Sequence, residues 1–121
     1  MKPVIIQHDA SKEYFFKEGC WINELSNSSQ DPGLSVAQAT VAPGSATKLH
    51  KLHGVIERYV ILEGEGLVEA GAMPAGKVTK GDTVLIPAGR WQRITNTGDS
   101  NLVFLAICTP RFNESLYEEK Q

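Results

Sequence analysis

The chain consists of short apolar segments that end in turn residues at close intervals, and this pattern restricts its fold more than any other feature. The turn signals recur roughly every 8 to 12 residues, and helical periodicity is almost absent. The spacing predicts about ten short strands with no crossover helices between them, which is typical of an all-β sandwich or a closed barrel of the jelly-roll kind. Only residues 113–120 have a helix-like composition, with Asn113 as the candidate N-cap of a short C-terminal helical tail.

Single elements of this pattern can be assigned from their composition. Residues 4–6 are apolar and predict a short first strand. Residues 59–62 predict a buried strand, and the glycines in residues 63–66 can adopt positive φ at little cost. We therefore expect residues 67–70 to pair with residues 59–62 as a β-hairpin.

Length and composition limit the function as well as the fold. A chain of 121 residues with 41% hydrophobic content predicts one domain over residues 1–121. The formal net charge is −2 and the basic residues are scattered, so nucleic acid is not an expected partner. No long uncharged apolar stretch and no signal peptide are visible, which predicts a soluble, cytoplasmic protein without a membrane partner. Cys20 and Cys108 are expected to be reduced, with Cys108 buried in a strand.

Residues 44–64 contain most of the candidate chemistry. His50, His53 and Glu57 lie within eight positions, directly before the predicted buried strand. Two imidazoles and a carboxylate are side chains that divalent first-row metals bind in proteins. The density of these groups predicts a metal site at the mouth of a barrel or sandwich.

Two segments of the chain have regular spacings. In the first, Gly44 is followed by five residues and His50, and Glu57 is followed by six residues and Gly64. In the second, Gly81 is followed by five residues and by residues 87–89, which read Pro-Ala-Gly. Gln92 comes after two further residues, and Asn96 after another three.

Residues 44–64 and 81–96 resemble the two sequence motifs of the cupin family. The resemblance implies a small single-domain cupin with a double-stranded β-helix, or jelly-roll barrel. It also implies a pocket that holds a divalent transition metal, namely Fe, Mn, Ni, Co or Zn. The candidate ligands are His50, His53, Glu57 and Gln92, and the candidate walls of the substrate pocket are Tyr59, Ile61 and Ile94.

The chain departs from the cupin motifs at two metal positions. The family's first motif has two histidines that are two positions apart, whereas His50 and His53 are three apart and cannot both point inward from one regular strand. A turn at Gly54 leaves a second route inward for His53. Gln92 stands where the family has a histidine, and its amide oxygen is a weaker ligand than imidazole.

Each candidate residue also has a structural interpretation without metal. His50 can be a pocket histidine, Gln92 a hydrogen-bonding wall, and Tyr59 part of the core. Glu57 can form an ion pair with Arg58 or Lys51 at the rim. These alternatives remain open at the level of the sequence.

Two functions follow from the resemblance. One is a metal-dependent enzyme of the dioxygenase, isomerase or decarboxylase type that acts on a small oxygen-bearing molecule. The other is a non-catalytic module that binds or senses a small molecule, with no metal or a structural one. A homodimer is expected in either case, with contacts from residues 4–6, Trp21 and Phe15 or Phe16.

Overall fold

The computed structural model describes residues 2–121, and strands account for nearly all of its regular structure. The only helical segments in that range are two 3-10 turns, Ala10–Lys12 and Glu114–Leu116, and no helix there is long and apolar enough to cross a membrane. The all-β prediction is confirmed. The strands are β1 (Tyr14–Phe16), β2 (Cys20–Ser26), β3 (Ser35–Val41), β4 (His50–Leu52), β5 (Ile56–Glu63), β6 (Glu65–Ala70), β7 (Gly76–Thr79), β8 (Thr83–Ile86), β9 (Gln92–Asn96), β10 (Leu102–Thr109) and β11 (Tyr117–Glu119).

The strands form two antiparallel sheets that face each other across the core. The first sheet has the order β1-β2-β3-β10-β5-β8, and the second has the order β11-β4-β9-β6-β7. Along each strand alternate side chains point inward. On β10, for example, Leu102, Phe104, Ala106 and Cys108 are buried and the residues between them are not. The two sheets together form the predicted jelly-roll barrel.

The core has a large apolar cluster and a small one. The large cluster lies between the two sheets and includes Tyr59, Ile61 and Ile94. The small cluster contains Leu52, Val55 and Cys108, with Phe112, Leu116 and Tyr117 packed against it. Both cysteines are free and buried, and Cys108 lies in a strand, β10, as predicted.

The predicted hairpin between residues 59–62 and 67–70 is wrong. β5 pairs with β10 and β8 in the first sheet, whereas β6 pairs with β7 and β9 in the second. The chain changes sheets at Gly64, which has φ +84° and lies so close to Asn101 that a Cβ would be 2.7 Å from the Asn101 carbonyl oxygen. The glycine therefore makes a corner between sheets and not the turn of a hairpin.

The predicted first strand at residues 4–6 is also wrong. Residues 2–13 contain no strand, and Val4, Ile5 and Ile6 are 68%, 82% and 57% exposed. Within residues 2–121 no strand pairs with these three residues. They belong to an N-terminal arm without regular secondary structure that leads to the 3-10 turn capped by the Asp9 side chain.

The C-terminal tail contains less helix than its composition suggests. The Asn113 side chain accepts a hydrogen bond from the Ser115 amide, so the predicted N-cap is present, but only one 3-10 turn follows. β11 then pairs with β4. Leu116 and Tyr117 pack against the small apolar cluster, and this packing together with the strand pairing outweighs helix propensity.

Candidate functional site

Three predicted site residues are brought together by neighbouring strands. His50 begins β4 and lies directly opposite Gln92, the first residue of β9. Glu57 enters from the other sheet on β5, where it is paired with Cys108 of β10. His50, Glu57 and Gln92 are 2%, 8% and 1% exposed. The barrel interior is otherwise apolar, so these three buried polar side chains need hydrogen-bonding or charged partners inside the protein.

A fourth residue, Glu18, completes this group and was not found from the sequence. Its carboxylate Oε2 lies 3.0 Å from His50 Nε2, and its side chain is only 15% exposed. Glu18 lies in the loop between β1 and β2, and its carbonyl accepts a hydrogen bond from the Lys48 amide at 2.7 Å. Gly19 allows this loop to dock, because it has φ +102° and a Cβ there would lie 3.1 Å from the Ala46 carbonyl oxygen.

The hydrogen bonds of His50 fix where its protons lie. His50 Nδ1 is 2.6 Å from the Lys48 carbonyl oxygen, which can only accept, so Nδ1 carries a hydrogen. In the neutral ring Nε2 then has a lone pair, and the Glu18 carboxyl group must donate to it. In the charged ring the Nε2–H group donates to the Glu18 carboxylate. One proton therefore lies between Glu18 and His50 in either state.

Burial determines which of the two groups holds that proton. Burial raises the pKa of Glu18 to about 7, and the hydrogen bond from the Cys20 thiol lowers it in part. Burial lowers the pKa of His50, while its hydrogen bond to the Lys48 carbonyl and the nearby carboxylates raise it. Because the low-dielectric interior disfavours both charged forms, burial favours the state in which the proton is on Glu18 and the His50 ring is neutral.

Glu57 is a second acid with an altered pKa. Its Oε2 is 3.7 Å from the Cys108 thiol, which donates to it, whereas its Oε1 is buried and has no hydrogen-bond partner in residues 2–121. Burial and the charge of Glu18 raise the pKa of Glu57 to about 7, and His50 and the Gln92 side chain lower it in part. Near neutral pH Glu57 thus exchanges readily between acid and carboxylate.

Gln92 is held in place by Tyr59. The Tyr59 hydroxyl donates to Gln92 Oε1 at 2.8 Å, and the Tyr59 ring packs against Phe104 at 4.6 Å between centroids. Burial raises the pKa of Tyr59 well above its usual range, so the phenol remains protonated and is a donor. With its oxygen directed at Tyr59, the Gln92 amide presents its NH₂ group towards Glu57.

His53 does not join this group. Its side chain is 52% exposed, and Nε2 lies 2.6 Å from Glu118 Oε1 at the surface. Gly54, with φ +72°, turns the chain after His53 and does not swing the imidazole inward. His50 thus points inward from β4, whereas His53 lies in the turn that follows this strand and stays outside. Glu57 is likewise not at the rim, since it is buried, and Arg58 next to it donates to the Thr109 hydroxyl at 2.6 Å.

A cavity of about 50 Å³ lies beside the two acids. Glu18 and Glu57 form part of its wall, together with apolar side chains such as Phe16, Ile22 and Ala106. At its mouth it adjoins a wider surface depression of about 550 Å³. The residues common to both are Tyr14, Phe16, Glu24, Asn27 and Phe112.

The predicted pocket residues do not line this cavity. Tyr59, Ile61 and Ile94 are 3%, 1% and 0% exposed and belong to the large apolar cluster. The cavity is bounded mainly by the first sheet and lies at the Glu57 end of β5. Tyr59 and Ile61 lie further along the same strand, where opposing side chains fill the interior, so their place is in the core.

The nitrogen and oxygen atoms that could bind a metal contact other side chains and do not converge on one point. His50 Nε2 contacts Glu18, and Gln92 Oε1 accepts from Tyr59. Within residues 2–121 no group of three His, Cys, Asp or Glu side chains is arranged so that it could hold a metal ion. In this arrangement the residues fit a shared proton better than a divalent ion, although the unpaired Glu57 Oε1 is one oxygen that a cation would satisfy.

Comparison with known proteins identifies the family. The cupin domain matches residues 37–108, a range that contains His50, Glu57 and Gln92 but not Glu18. The uncharacterised protein MJ1618 of Methanocaldococcus jannaschii is 36% identical over 115 residues, which cover 93% of this chain and 91% of that protein.

Two further similarities concern part of the sequence and the fold. The oxalate-binding protein of Thermotoga maritima is 37% identical over 71 residues, which cover 59% of this chain and 58% of that protein. A crystal structure of a Klebsiella pneumoniae protein with a double-stranded β-helix domain superposes with a TM-score of 0.75 at 13% identity, over 92% of each chain. The predicted cupin resemblance and jelly-roll fold are thereby confirmed.

Proposed function

Because this chain belongs to the cupin family, we propose that it binds a small oxygen-bearing molecule in the barrel cavity and transfers a proton to or from it. The observation that carries this proposal is the contact of 3.0 Å between Glu18 and His50 Nε2, beside the cavity. The hydrogen bond from His50 Nδ1 to the Lys48 carbonyl leaves His50 Nε2 available for the proton that it shares with Glu18. A carboxyl group with a pKa of about 7 is matched to proton transfer near neutral pH.

Glu57 supplies the second acid–base group. Its pKa of about 7 is similar to that of Glu18, and its Oε1 has no partner within residues 2–121. One acid can therefore donate a hydrogen bond to a ligand oxygen while the other accepts a proton from it. The Gln92 side-chain amide, which is held by Tyr59, orients the Glu57 carboxyl group.

The size of the cavity indicates the class of ligand. A volume of about 50 Å³ corresponds to roughly four water positions, which is the size of a short organic acid. The protonated Glu57 carboxyl group, whose Oε1 has no partner within residues 2–121, can donate a hydrogen bond to the carboxylate of such a ligand. The partial similarity to an oxalate-binding protein makes oxalate the first probe.

The proposal is tested by measuring proton uptake on oxalate binding. Isothermal titration calorimetry at about pH 7.5 in two buffers of different ionisation enthalpy gives the number of protons taken up per ligand. A bound anion raises the pKa of a neighbouring acid, so we expect uptake of up to about one proton and weaker binding as the pH rises.

Matched variants assign the uptake to the site. Glu18→Gln should lower the proton uptake, because the amide has no titrating proton and only Glu57 then remains to take up protons. Glu24→Gln is the control, since Glu24 lines the same cavity but is exposed at its mouth. Oxalate binding with no proton uptake, or equal uptake in wild type and Glu18→Gln, would contradict the proposal. If oxalate does not bind, the proposed ligand is wrong.

A divalent metal is the second candidate, and the buried, unpaired Glu57 Oε1 favours it. His50, Glu57 and Gln92 would hold the ion, which would act as a Lewis acid on a bound oxygen. Glu18 would first have to leave His50 Nε2, because both contact the same lone pair.

Metal content separates the two candidates. We would measure metal stoichiometry and melting temperature for tag-free wild type, Glu57→Gln and Gln92→His, with and without added Mn, Fe, Ni or Zn. A metal site predicts bound metal in wild type, tighter binding in Gln92→His and loss in Glu57→Gln. The acid–base site predicts metal near zero in wild type and a higher melting temperature for Glu57→Gln, which lacks the buried acid.

A further inference from the structure

The surface depression at the mouth of the cavity is much larger than the cavity itself. Its volume is about 550 Å³, against about 50 Å³ for the cavity beside the two acids. A ligand confined to the cavity would leave most of the depression to water. We name the depression the vestibule, and its wall includes Tyr14, Phe16, Asn27, Arg111 and Phe112.

Aromatic rings line the passage from the cavity to the vestibule. Tyr14, Phe16 and Phe112 border both spaces. Phe16 contacts the other two rings edge to face, at 6.4 Å from Tyr14 and 6.1 Å from Phe112 between centroids. Phe16 is thus part of the core and of this passage, and it is not the exposed dimer contact that the sequence allowed. The part of a ligand that lies against these rings is favoured if it is apolar.

Arg111 is the cationic group of the vestibule that lacks an acidic partner. Within residues 2–121 its guanidinium forms no ion pair, and its Nε donates instead to Asn27 Oδ1 at 2.6 Å. A guanidinium has further N–H donors on its two terminal nitrogens, and their fork matches a carboxylate or a phosphate. The charge and these donors are therefore available to a ligand.

The chain around Arg111 is fixed in position. The Arg111 amide donates to the Pro32 carbonyl at 3.1 Å, and the Phe112 amide donates to the Ser35 hydroxyl at 2.8 Å. Asn27 Nδ2 donates to the Phe112 carbonyl at 2.9 Å, so the side chain that holds the guanidinium is itself held. Such a preorganised, half-buried cation loses little conformational entropy when it binds an anion.

The other charged groups of the vestibule are paired or screened. Lys17 Nζ lies 3.1 Å from Glu114 Oε1, so these two charges largely cancel. Glu24 would repel an anion, but it is exposed and its charge is screened by water and salt. Arg111 is therefore the main attraction for an anionic group in the vestibule.

We propose that Arg111 binds a second anionic group of the ligand, which is consequently a longer molecule than oxalate. One end is a carboxylate at Glu57, the middle is an apolar spacer beside the aromatic rings, and the other end is a carboxylate or phosphate at Arg111. This inference rests on the proposed binding of a carboxylate in the cavity, where oxalate corresponds only to the inner end of the ligand. Both ends then meet a hydrogen-bond donor of the protein.

The test compares acids of equal length that differ only in the outer anionic group. Isothermal titration calorimetry at about pH 7 gives the affinities of straight-chain dicarboxylates up to suberate and of the matching monocarboxylates, such as adipate against hexanoate. At one favoured length the dicarboxylate reaches Arg111, and we expect it to bind about tenfold or more tightly than its monocarboxylate partner. A phosphonate in place of the outer carboxylate keeps this preference if the natural group is a phosphate and weakens it if the group is a carboxylate.

Variants at one position assign the preference to Arg111. Arg111→Gln should bring the affinity ratio of the paired acids close to one, because the amide carries no charge. Arg90→Gln removes an exposed arginine that lines a separate depression, so this matched control should keep the wild-type ratio. Arg111→Lys retains the charge without the fork and should keep part of the ratio, and it also replaces Arg111→Gln if that variant does not fold.

The failure of this inference differs from the failure of the proposed function. Acids that bind with proton uptake, but with a ratio near one at every length or a ratio unchanged in Arg111→Gln, would overturn the role of Arg111 and leave the acid–base site. A ratio that depends on Arg111 without proton uptake would support the vestibule and contradict proton transfer in the cavity. If none of these acids binds, both proposals are wrong.

Discussion

The two ends of strand β5 lie in different surroundings within the barrel interior. Glu57, Tyr59 and Ile61 point inward from the same strand at alternate positions. Ile61 is 1% exposed in a fully apolar environment, whereas Glu57 borders a cavity and has an oxygen without a partner in residues 2–121. Tyr59 lies between them and links both ends through its ring and its hydroxyl.

This difference separates an apolar region of the barrel from a region of buried titratable groups. Ile61 is buried in the large apolar cluster, so each methylene there contributes to the free energy of folding. The Glu57 end contains two acids and an imidazole whose burial opposes their charged forms. We infer that burial of apolar side chains at the Ile61 end offsets the free-energy cost of burying the polar groups at the Glu57 end.

The largest expected effect is on the apolar end. Ile61→Ala removes a buried side chain and leaves a cavity, so we expect a loss of about 4 kcal/mol in the free energy of unfolding. Urea denaturation measures this loss. Proton uptake with oxalate should be unchanged in the folded protein, and a variant with full stability would show that this end is not well packed.

The pH dependence of stability tests the polar end. Glu57 has its pKa raised from the usual 4.5 to about 7, so the folded protein binds more protons than the unfolded chain between these values. Its contribution to stability is therefore fully present below about pH 4.5 and is lost as the pH rises through 7. The difference between the two values corresponds to roughly 3 kcal/mol.

Glu57→Gln provides the comparison for this pH dependence. The variant should lose part of the decline in melting temperature between about pH 5 and about pH 8, and above pH 7 it should be more stable than wild type. The remaining decline belongs to Glu18, whose pKa is also raised to about 7. Identical pH profiles for wild type and variant would mean that Glu57 is not buried as an acid.

A smaller effect is expected where the two ends meet. Tyr59→Phe removes the hydroxyl that donates to Gln92 Oε1 and leaves that oxygen without its partner. We expect a loss of about 1 kcal/mol in unfolding free energy. Because Gln92 would be free to reorient beside Glu57, the pKa of Glu57 should also change, which carboxyl ¹³C NMR can measure. An unchanged pKa would show that Gln92 is oriented by other contacts.

The smallest effect is expected outside the barrel. His53 is half exposed and paired only with Glu118, so His53→Ala should alter stability by less than about 0.5 kcal/mol. Ligand binding and metal content should also remain as in wild type. A strong effect of His53→Ala on ligand binding or on metal content would mean that His53 belongs to the site despite its position at the surface.

The sequence predicted part of the site because spacing within strands is local information. His50, Glu57 and Gln92 lie at fixed positions relative to turn glycines and prolines, and alternation then decides which side chains face inward. The same reasoning correctly predicted that His50 and His53 cannot both point inward from one regular strand. It placed Tyr59, Ile61 and Ile94 inside but could not locate the cavity, which depends on how the opposing sheet fills the space.

Glu18 and the corner at Gly64 could not be predicted in the same way. Glu18 lies outside both motifs, and its contact with His50 depends on the loop that docks against Lys48, a contact between distant parts of the chain. Its only local signal is the glycine that follows it before an alternating strand. At Gly64 the sequence indicates a turn, but the choice between a hairpin and a change of sheet depends on the close contact with Asn101.

The central claim is that Glu18 and His50 share one proton, and imidazole ¹⁵N NMR tests it most directly. Spectra of wild type and Glu18→Gln would be compared from about pH 5 to about pH 9. We expect Nδ1 to be protonated throughout in both proteins, held by the Lys48 carbonyl, and the Nε2 resonance to change when Glu18 is replaced. A neutral ring protonated at Nε2, or an Nε2 resonance that is the same in both proteins, would contradict the account.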